Sequence, residues 1–520
     1  MEIHSPSYPA LFTFFLFMFM AVNLLWRSKS KKSILNLPPG PWKLPIIGNM
    51  HNLAGSLPHQ SLRNLAMKYG PLMHLQLGEV SNIIVSSPEM AKEVMKIHDA
   101  VFASRPTLLA VKIITYDCKG ISFSPCGSYW RQLRKICAME LLSSKRVKSF
   151  RSIREEEVSN LVETIYHSSD IEASVAINLS EKIYSLNYGI TSRTAFGKKS
   201  REQEAYIEIS KQISKLAGGF YVSDMYPSIK MLQWIGGLRH KLEKVHEEAD
   251  RILGNILSDH KEKKIMKSEP HNHEEEADNH QEEFVDILLK IQESDQLDLP
   301  LTDSSIKAVL LDIFAAGSDT SATAVDWAMS EMMKHPRVMK KAQDEVRRVF
   351  NEKGSVDETC ISEMKYLKSV IKEILRLHPP GPLLLPRECR ESCVIGNGYE
   401  IPAKTKVIVN AWAIGRDPRY WNEPESFYPE RFLDSSVDFK GTNYEYIPFG
   451  AGRRMCPGMS LGMINVELPL ALLLYHFDWQ LPKGMKHEEM DMTEKFGITV
   501  RRKLDLLLVP TAYYPSSTPS

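Results

Sequence analysis

Phe449-Gly450-Ala451-Gly452-Arg453-Arg454-Met455-Cys456-Pro457-Gly458 stands near the C-terminus of this 520-residue chain, directly ahead of an apolar, helix-like stretch, residues 459–475. Glycines before and after the cysteine let backbone N–H groups turn toward its sulfur, and the N-terminus of the following helix adds positive potential. Such a setting favours a thiolate. A buried structural cysteine in a glycine turn is the alternative that these residues alone leave open. Gly450-Ala451-Gly452 also opens like a dinucleotide-binding loop, but Met455 occupies the third glycine position and that reading fails.

Working outward, residues 301–334 place Ile306, Val309, Leu310, Ile313 and Phe314 on one helical stripe. At 100° per residue Gly317, Thr320 and Ser321 fall within that stripe, whereas Asp319 points off it. A glycine and two hydroxyls therefore interrupt a buried face, although a mid-helix threonine can simply bond back to the carbonyl of Ala316. A second helix, residues 364–377, carries Leu367, Val370, Ile371, Ile374 and Leu375 on one side, with Glu373 and Arg376 opposite. Spacing alone makes those two an exposed pair of small value.

The signature F-x-x-G-x-R-x-C-x-G, filled by Phe449, Gly452, Arg454, Cys456 and Gly458, resembles the haem-binding element of the cytochrome P-450 family. Four more segments fit the family in order. Trp130-Arg131-Gln132-Leu133-Arg134 matches W-x-x-x-R, and Ala316-Gly317-Ser318-Asp319-Thr320 matches the oxygen-binding element. Glu373 and Arg376 match E-x-x-R, which locks to Arg431 of Pro429-Glu430-Arg431-Phe432.

The resemblance implies a mainly α fold with small β-sheets, preceded by one N-terminal transmembrane helix. It implies haem b (iron protoporphyrin IX) with Cys456 as axial ligand to the iron, Trp130, Arg134, Arg387 and Arg454 at its propionates, and Phe449 and Gly317 against it. Asp319 and Thr320 are the implied proton relay, and Glu373, Arg376 and Arg431 the structural lock. O2 is the implied co-substrate, with electrons from NADPH through a flavoprotein reductase. The closest likeness is to plant microsomal members of specialised metabolism, through Pro38-Pro39-Gly40-Pro41 and the tail Met492-Thr493-Glu494 to Val500-Arg501-Arg502-Lys503. The implied activity is monooxygenation of a hydrophobic metabolite, a terpenoid first and an alkaloid or phenolic second. Phe314, Ala315, Leu383, Leu384 and Ile498 are the expected pocket walls, apolar and without a charged anchor. An O2-independent haem-thiolate isomerase or dehydratase and a non-enzymatic haem sensor are the rivals.

Composition bounds these readings. With 65 basic and 64 acidic side chains there is no global basic field, so nucleic acid is not an expected partner. Seven cysteines without a C-x-x-C pair fit neither a disulfide framework nor a zinc ribbon. Each His-Glu-Glu run lacks the second histidine of a zinc protease site.

Residues 5–26 are uncharged, and a helix of that length rises about 33 Å, close to the roughly 30 Å of a hydrocarbon core. Arg27, Lys29, Lys31 and Lys32 follow, which places the downstream chain in the cytosol, and the resemblance implies a single-pass protein of the endoplasmic reticulum membrane. The expected organisation is a membrane anchor with basic flank (1–36), a proline-rich hinge (37–45), a haem-binding catalytic domain (46–512) and a tail (513–520). Short β-like runs fall at 72–77, 83–85 and 406–409. Residues 259–283, rich in Lys, Glu and His, read as a mobile surface loop that includes His260. Arg131, Arg134, Lys135, Lys145, Arg146 and Lys148 form a basic patch suited to an acidic electron donor.

Overall fold

The computed structural model describes residues 35–171, 175–197, 201–218, 221–268, 282–294 and 297–514. The expected anchor lies outside them, as does most of the tail. One mixed sheet forms the edge of a mainly helical body. Its strands are β1 (Leu72–Leu77), β2 (Val80–Val85), β3 (Arg387–Glu388) and β4 (Lys406–Val409), in the spatial order β1-β2-β4-β3. Gly78, at φ +59°, opens the two-residue turn between β1 and β2, whose register pairs Leu77 with Val80. A β-carbon at Gly78 would also meet the Met225 carbonyl oxygen at 2.6 Å. The proline-rich segment 37–45 packs on this sheet: the His74 amide donates to the Pro39 carbonyl at 2.8 Å.

Seven helices frame the interior: α1 (Ser128–Ile136), α2 (Leu179–Phe196), α3 (Arg201–Ala217), α4 (Leu238–Ser268), α5 (Asp303–Lys334), α6 (Lys365–Leu377) and α7 (Met459–His476). Thr302 caps α5, its side chain accepting from the Ser305 amide at 3.2 Å. From Ser318 to Met333 α5 is buried except at Thr320, which marks it as a central helix packed on every side. The sequence stripe on α5 is therefore not the solvent-versus-core boundary of a surface helix.

The segment expected as a loop at 259–283 is partly something else. α4 continues through it to Ser268, and His260 is buried, with Nδ1 2.8 Å from Asp286 Oδ1. Asp286 lies on the neighbouring helix Phe284–Glu293. Polar composition hid a helix whose Leu253, Ile256, Leu257 and His260 are buried.

Glu373 and Arg376 depart furthest from what spacing alone predicts, being 0% and 1% exposed. Arg376 grips Glu373 with Nε at 2.7 Å and Nη2 at 2.8 Å, and Arg431 Nε reaches Glu373 Oε1 at 3.0 Å. Arg376 also donates to the carbonyls of Gly415 and Pro424 at 2.7 and 2.6 Å, and Arg431 to that of Asn422 at 2.7 Å. One helix is thus tied to the irregular chain leading toward Cys456. Replacing Arg376 with Met leaves the buried Glu373 carboxylate with only Arg431 and the Tyr428 amide and one oxygen unfilled, and the expected loss is about 3 kcal/mol. Thermal unfolding of the variant against the parent protein measures it.

Candidate active site

The cysteine turn is held by its own backbone and by a neighbouring helix. The Cys456 amide donates to the Phe449 carbonyl at 3.0 Å, and Gly450 and Gly452 adopt φ +69° and +70°. A β-carbon at Gly452 would meet the Met95 carbonyl oxygen at 2.1 Å, so this position is closed to other residues on two grounds. Asp99 accepts the Arg453 amide at 2.9 Å and fastens the same turn.

Cys456 opens into a cavity of about 360 Å³ bounded by α5, the 121–123 segment, residues 380–385 and the tail residues Ile498 and Thr499. The wall is largely apolar, but Arg105, Arg134, Arg387 and Arg454 also reach it. Arg454 donates to the carbonyls of Ala103 (2.7 Å), Ile121 (3.2 Å) and Ser124, and its guanidinium lies 4.0 Å from the Trp130 ring centre. Arg387 contacts Asp99 at 3.4 Å and the Ala451 carbonyl at 3.0 Å. Burial holds all four guanidinium groups below their ordinary range. The Trp130 indole donates to the Ile121 carbonyl at 3.1 Å.

Burial also pushes the Cys456 thiol up, against the Gly458 amide and the Arg134 guanidinium, which favour the thiolate. A metal ion bound at the sulfur would add to those two groups and favour the thiolate.

One wall of the cavity is α5. Ala315, Ala316, Gly317, Thr320 and Ser321 line the cavity, as do Leu384 and Ile498. Thr320 Oγ1 donates to the Ala316 carbonyl at 2.6 Å. Asp319 is buried and ion-paired with Arg501, and the Tyr188 hydroxyl lies 3.4 Å from its Oδ1. Arg501 in turn lies 4.3 Å from the ring centre of Tyr184.

Two expected pocket residues sit elsewhere. Phe314 is fully buried in an aromatic cluster with Tyr188, Phe196 and Tyr206 of α2 and α3. Leu383 lines a smaller adjoining chamber of about 160 Å³ with Asp224 and Lys406. Because α5 is packed all round, its apolar stripe points to neighbouring helices as much as to the cavity. Leu311 and Asp312 are the wall residues that the stripe missed. Arg501 carried no local signal, since its partner is 182 residues away. In the basic patch Arg131, Lys135, Lys145 and Lys148 are exposed, whereas Arg134 turns into the cavity.

A half-buried cysteine and four guanidinium groups lining one largely apolar cavity fit the donor set of a haem-thiolate protein. The arginines fit a flat macrocycle carrying two carboxylates, and the thiol fits its iron. The chain belongs to the cytochrome P450 family, whose family model matches residues 38–509, and it is a plant monooxygenase of that family.

Among its relatives, Cytochrome P450 71D11 of Lotus japonicus is 58% identical over 94% of this chain and 97% of its own length. Salviol synthase of Salvia pomifera is 51% identical, and tabersonine 6,7-epoxidase isoform 1 of Catharanthus roseus 54%, each over 98% of both chains. A zebra fish cytochrome P450 solved with progesterone has the same fold, with a TM-score of 0.72 at 24% identity over 88% of this chain and 100% of that one. Family membership brings haem, O2, electrons from a redox partner and a hydrophobic substrate.

Cys456→Ser is expected to remove the thiolate signature from the carbon monoxide difference spectrum of the reduced protein. Far-ultraviolet circular dichroism of the same variant should retain its helical content.

Proposed function

We propose that this protein is a membrane-anchored monooxygenase that hydroxylates or otherwise oxidises a hydrophobic plant specialised metabolite, with NADPH-derived electrons delivered by a flavoprotein reductase. The observation that carries the reading is the apolar cavity running from Cys456 to the Gly317–Thr320 turn of α5. Cys456 would hold the iron, and Arg134, Arg387 and Arg454 the propionates, joined by Trp130 once its single N–H leaves the Ile121 carbonyl, with Phe449 and Gly317 also against the group. When bound, haem supplies the activation of O2 that places one oxygen atom in the substrate and releases the other as water.

The chain's own groups aim and protonate. Ala315, Leu384 and Ile498 exclude water and hold the substrate by shape. Thr320 Oγ1 presents a hydroxyl at the cavity surface. Asp319 lies one residue away, its carboxylate held by Arg501, which is 33% exposed and so links the pair to solvent. Asp319 and Thr320 together would pass protons inward.

Residues 5–26 would anchor the chain in the endoplasmic reticulum membrane, and Arg131, Lys135, Lys145 and Lys148 would receive the acidic reductase surface. Names among the relatives range from salviol synthase to tabersonine epoxidase, so one architecture serves unlike scaffolds. A terpenoid is the first substrate class and an alkaloid or phenolic the second, as apolar walls without a charged anchor suggest.

Membranes containing the protein and a plant reductase, given NADPH, isotope-labelled dioxygen and a panel of terpenoid and alkaloid scaffolds, test this. Labelled oxygen in a product, dependent on both NADPH and reductase, is expected. Turnover without either would leave the isomerase or dehydratase reading instead. Asp319→Asn should lower turnover by about 10²-fold. Thr320→Ala should lower product formed per NADPH consumed by about tenfold, with peroxide released in proportion, because it removes a positioned proton donor.

A further inference from the structure

Residues 119–124 form part of the cavity wall but belong to no helix or strand. Side chains from four directions hold them. Tyr129 donates to the Lys119 carbonyl at 2.8 Å, and Lys119 Nζ reaches Ser304 Oγ on α5 at 2.9 Å. The Ile121 carbonyl accepts from Trp130 and Arg454, and the Ser122 carbonyl from Arg105 Nε at 3.0 Å. On the α5 side the Ser122 amide donates to Asp312 Oδ2 at 2.9 Å. Gly120 packs so closely there that a β-carbon would lie 2.2 Å from Asp312 Oδ2 and 3.1 Å from the Ala308 carbonyl oxygen. Three consecutive wall residues, Ile121, Ser122 and Phe123, thus take their position from one carboxylate and from groups assigned above to the haem edge.

Asp312 is 8% exposed and lines the cavity, and no lysine, arginine or histidine pairs with it among the described residues. Most buried carboxylates are matched by a cation. This one is matched by the backbone of the wall. We propose that Asp312 is a positioning residue for the oxidation: its ionised carboxylate latches residues 120–122 to α5, and the fit of the substrate to the wall follows that latch. The inference deepens the monooxygenase reading and rests on it for the substrate, while the latch itself does not.

The latch has a pH dependence of stated sign. Burial pushes the Asp312 carboxyl up to about 6, opposed by the Ser122 amide and hydroxyl and the Ile121 amide. The titratable groups facing it are Tyr129 of α1, Tyr206 of α3, Cys118 and Cys137, each pushed up by burial and, in part, by Asp312 itself. They stay neutral between pH 5 and 8. The Arg105 guanidinium reaches the segment on its carbonyl side. Above pH 6 the carboxylate accepts a charge-assisted bond; below it the neutral acid accepts a weaker one, so the wall loosens as pH falls.

Two measurements on the haem-loaded full chain test this. Hydrogen–deuterium exchange of a peptide spanning residues 119–124, corrected for intrinsic rates, needs neither substrate nor turnover. Protection is expected to fall about fivefold to tenfold from pH 7.5 to 5.5, the ratio of a charged to a neutral acceptor bond. Asp312→Asn, which keeps an acceptor without the charge, should show the low protection at both pH values. Gly120→Ala, which pushes the segment off Asp312, should do the same from the other side of the contact. Spectral titration with any substrate found above should show affinity weakening in parallel in all three cases. Protection that is independent of pH, or unchanged in Asp312→Asn, overturns the latch. Altered protection with unaltered substrate affinity overturns its positioning role and leaves the monooxygenase reading intact.

Discussion

The buried pairing of Glu373 with two guanidinium groups is the interaction on which the rest of this protein hangs. A carboxylate with no solvent exposure is stable only if its oxygens are filled, and Arg376, Arg431 and the Tyr428 amide fill them. Those same arginines then spend their remaining N–H groups on the carbonyls of Gly415, Asn422, Pro424 and Ser426. A stretch of chain with little regular structure is thereby made rigid. It leads into the turn that presents Cys456, so the position of the sulfur is inherited from a salt bridge that performs no chemistry.

The cavity applies a second constraint. Guanidinium groups cannot share an apolar space without anions or carbonyls, and the chain supplies carbonyls at Ala103, Ile121, Ser122 and Ala451. The consequence is mechanical coupling: the segment that answers the arginines is also cavity wall. On its far side the same segment answers Asp312. Net charge near zero conceals this arrangement, in which four arginines line the cavity and four carboxylates, Asp312, Asp319, Asp326 and Glu331, lie buried along α5.

Much of this was legible residue by residue. The β-runs at 72–77 and 406–409 fall on strands with those bounds, because alternation and β-branching are local properties. The Cys456 turn was legible because its glycines are demanded by backbone geometry at the site itself. Phe314 was misplaced because a helix buried on all sides has no solvent face to orient its stripe. His260 was misread because composition reports polarity and not the partner, here Asp286, that makes burial of a polar group tolerable. Glu373 and Arg376 have the spacing of an exposed pair, and only Arg431, more than fifty residues on, makes them a buried one.

The sequence by itself determined the chemistry: a cysteine in a glycine turn, a glycine-threonine interruption in a long helix, and an ordered set of motifs that fit one family. These signals are local or depend on identity alone. The tertiary structure decided which carboxylates are paired, which side of α5 faces the cavity, and what holds the wall. Those outcomes depend on contacts between residues far apart in the chain, Asp319 with Arg501 and Asp312 with Ser122, and no local pattern encodes a partner that only folding brings within reach.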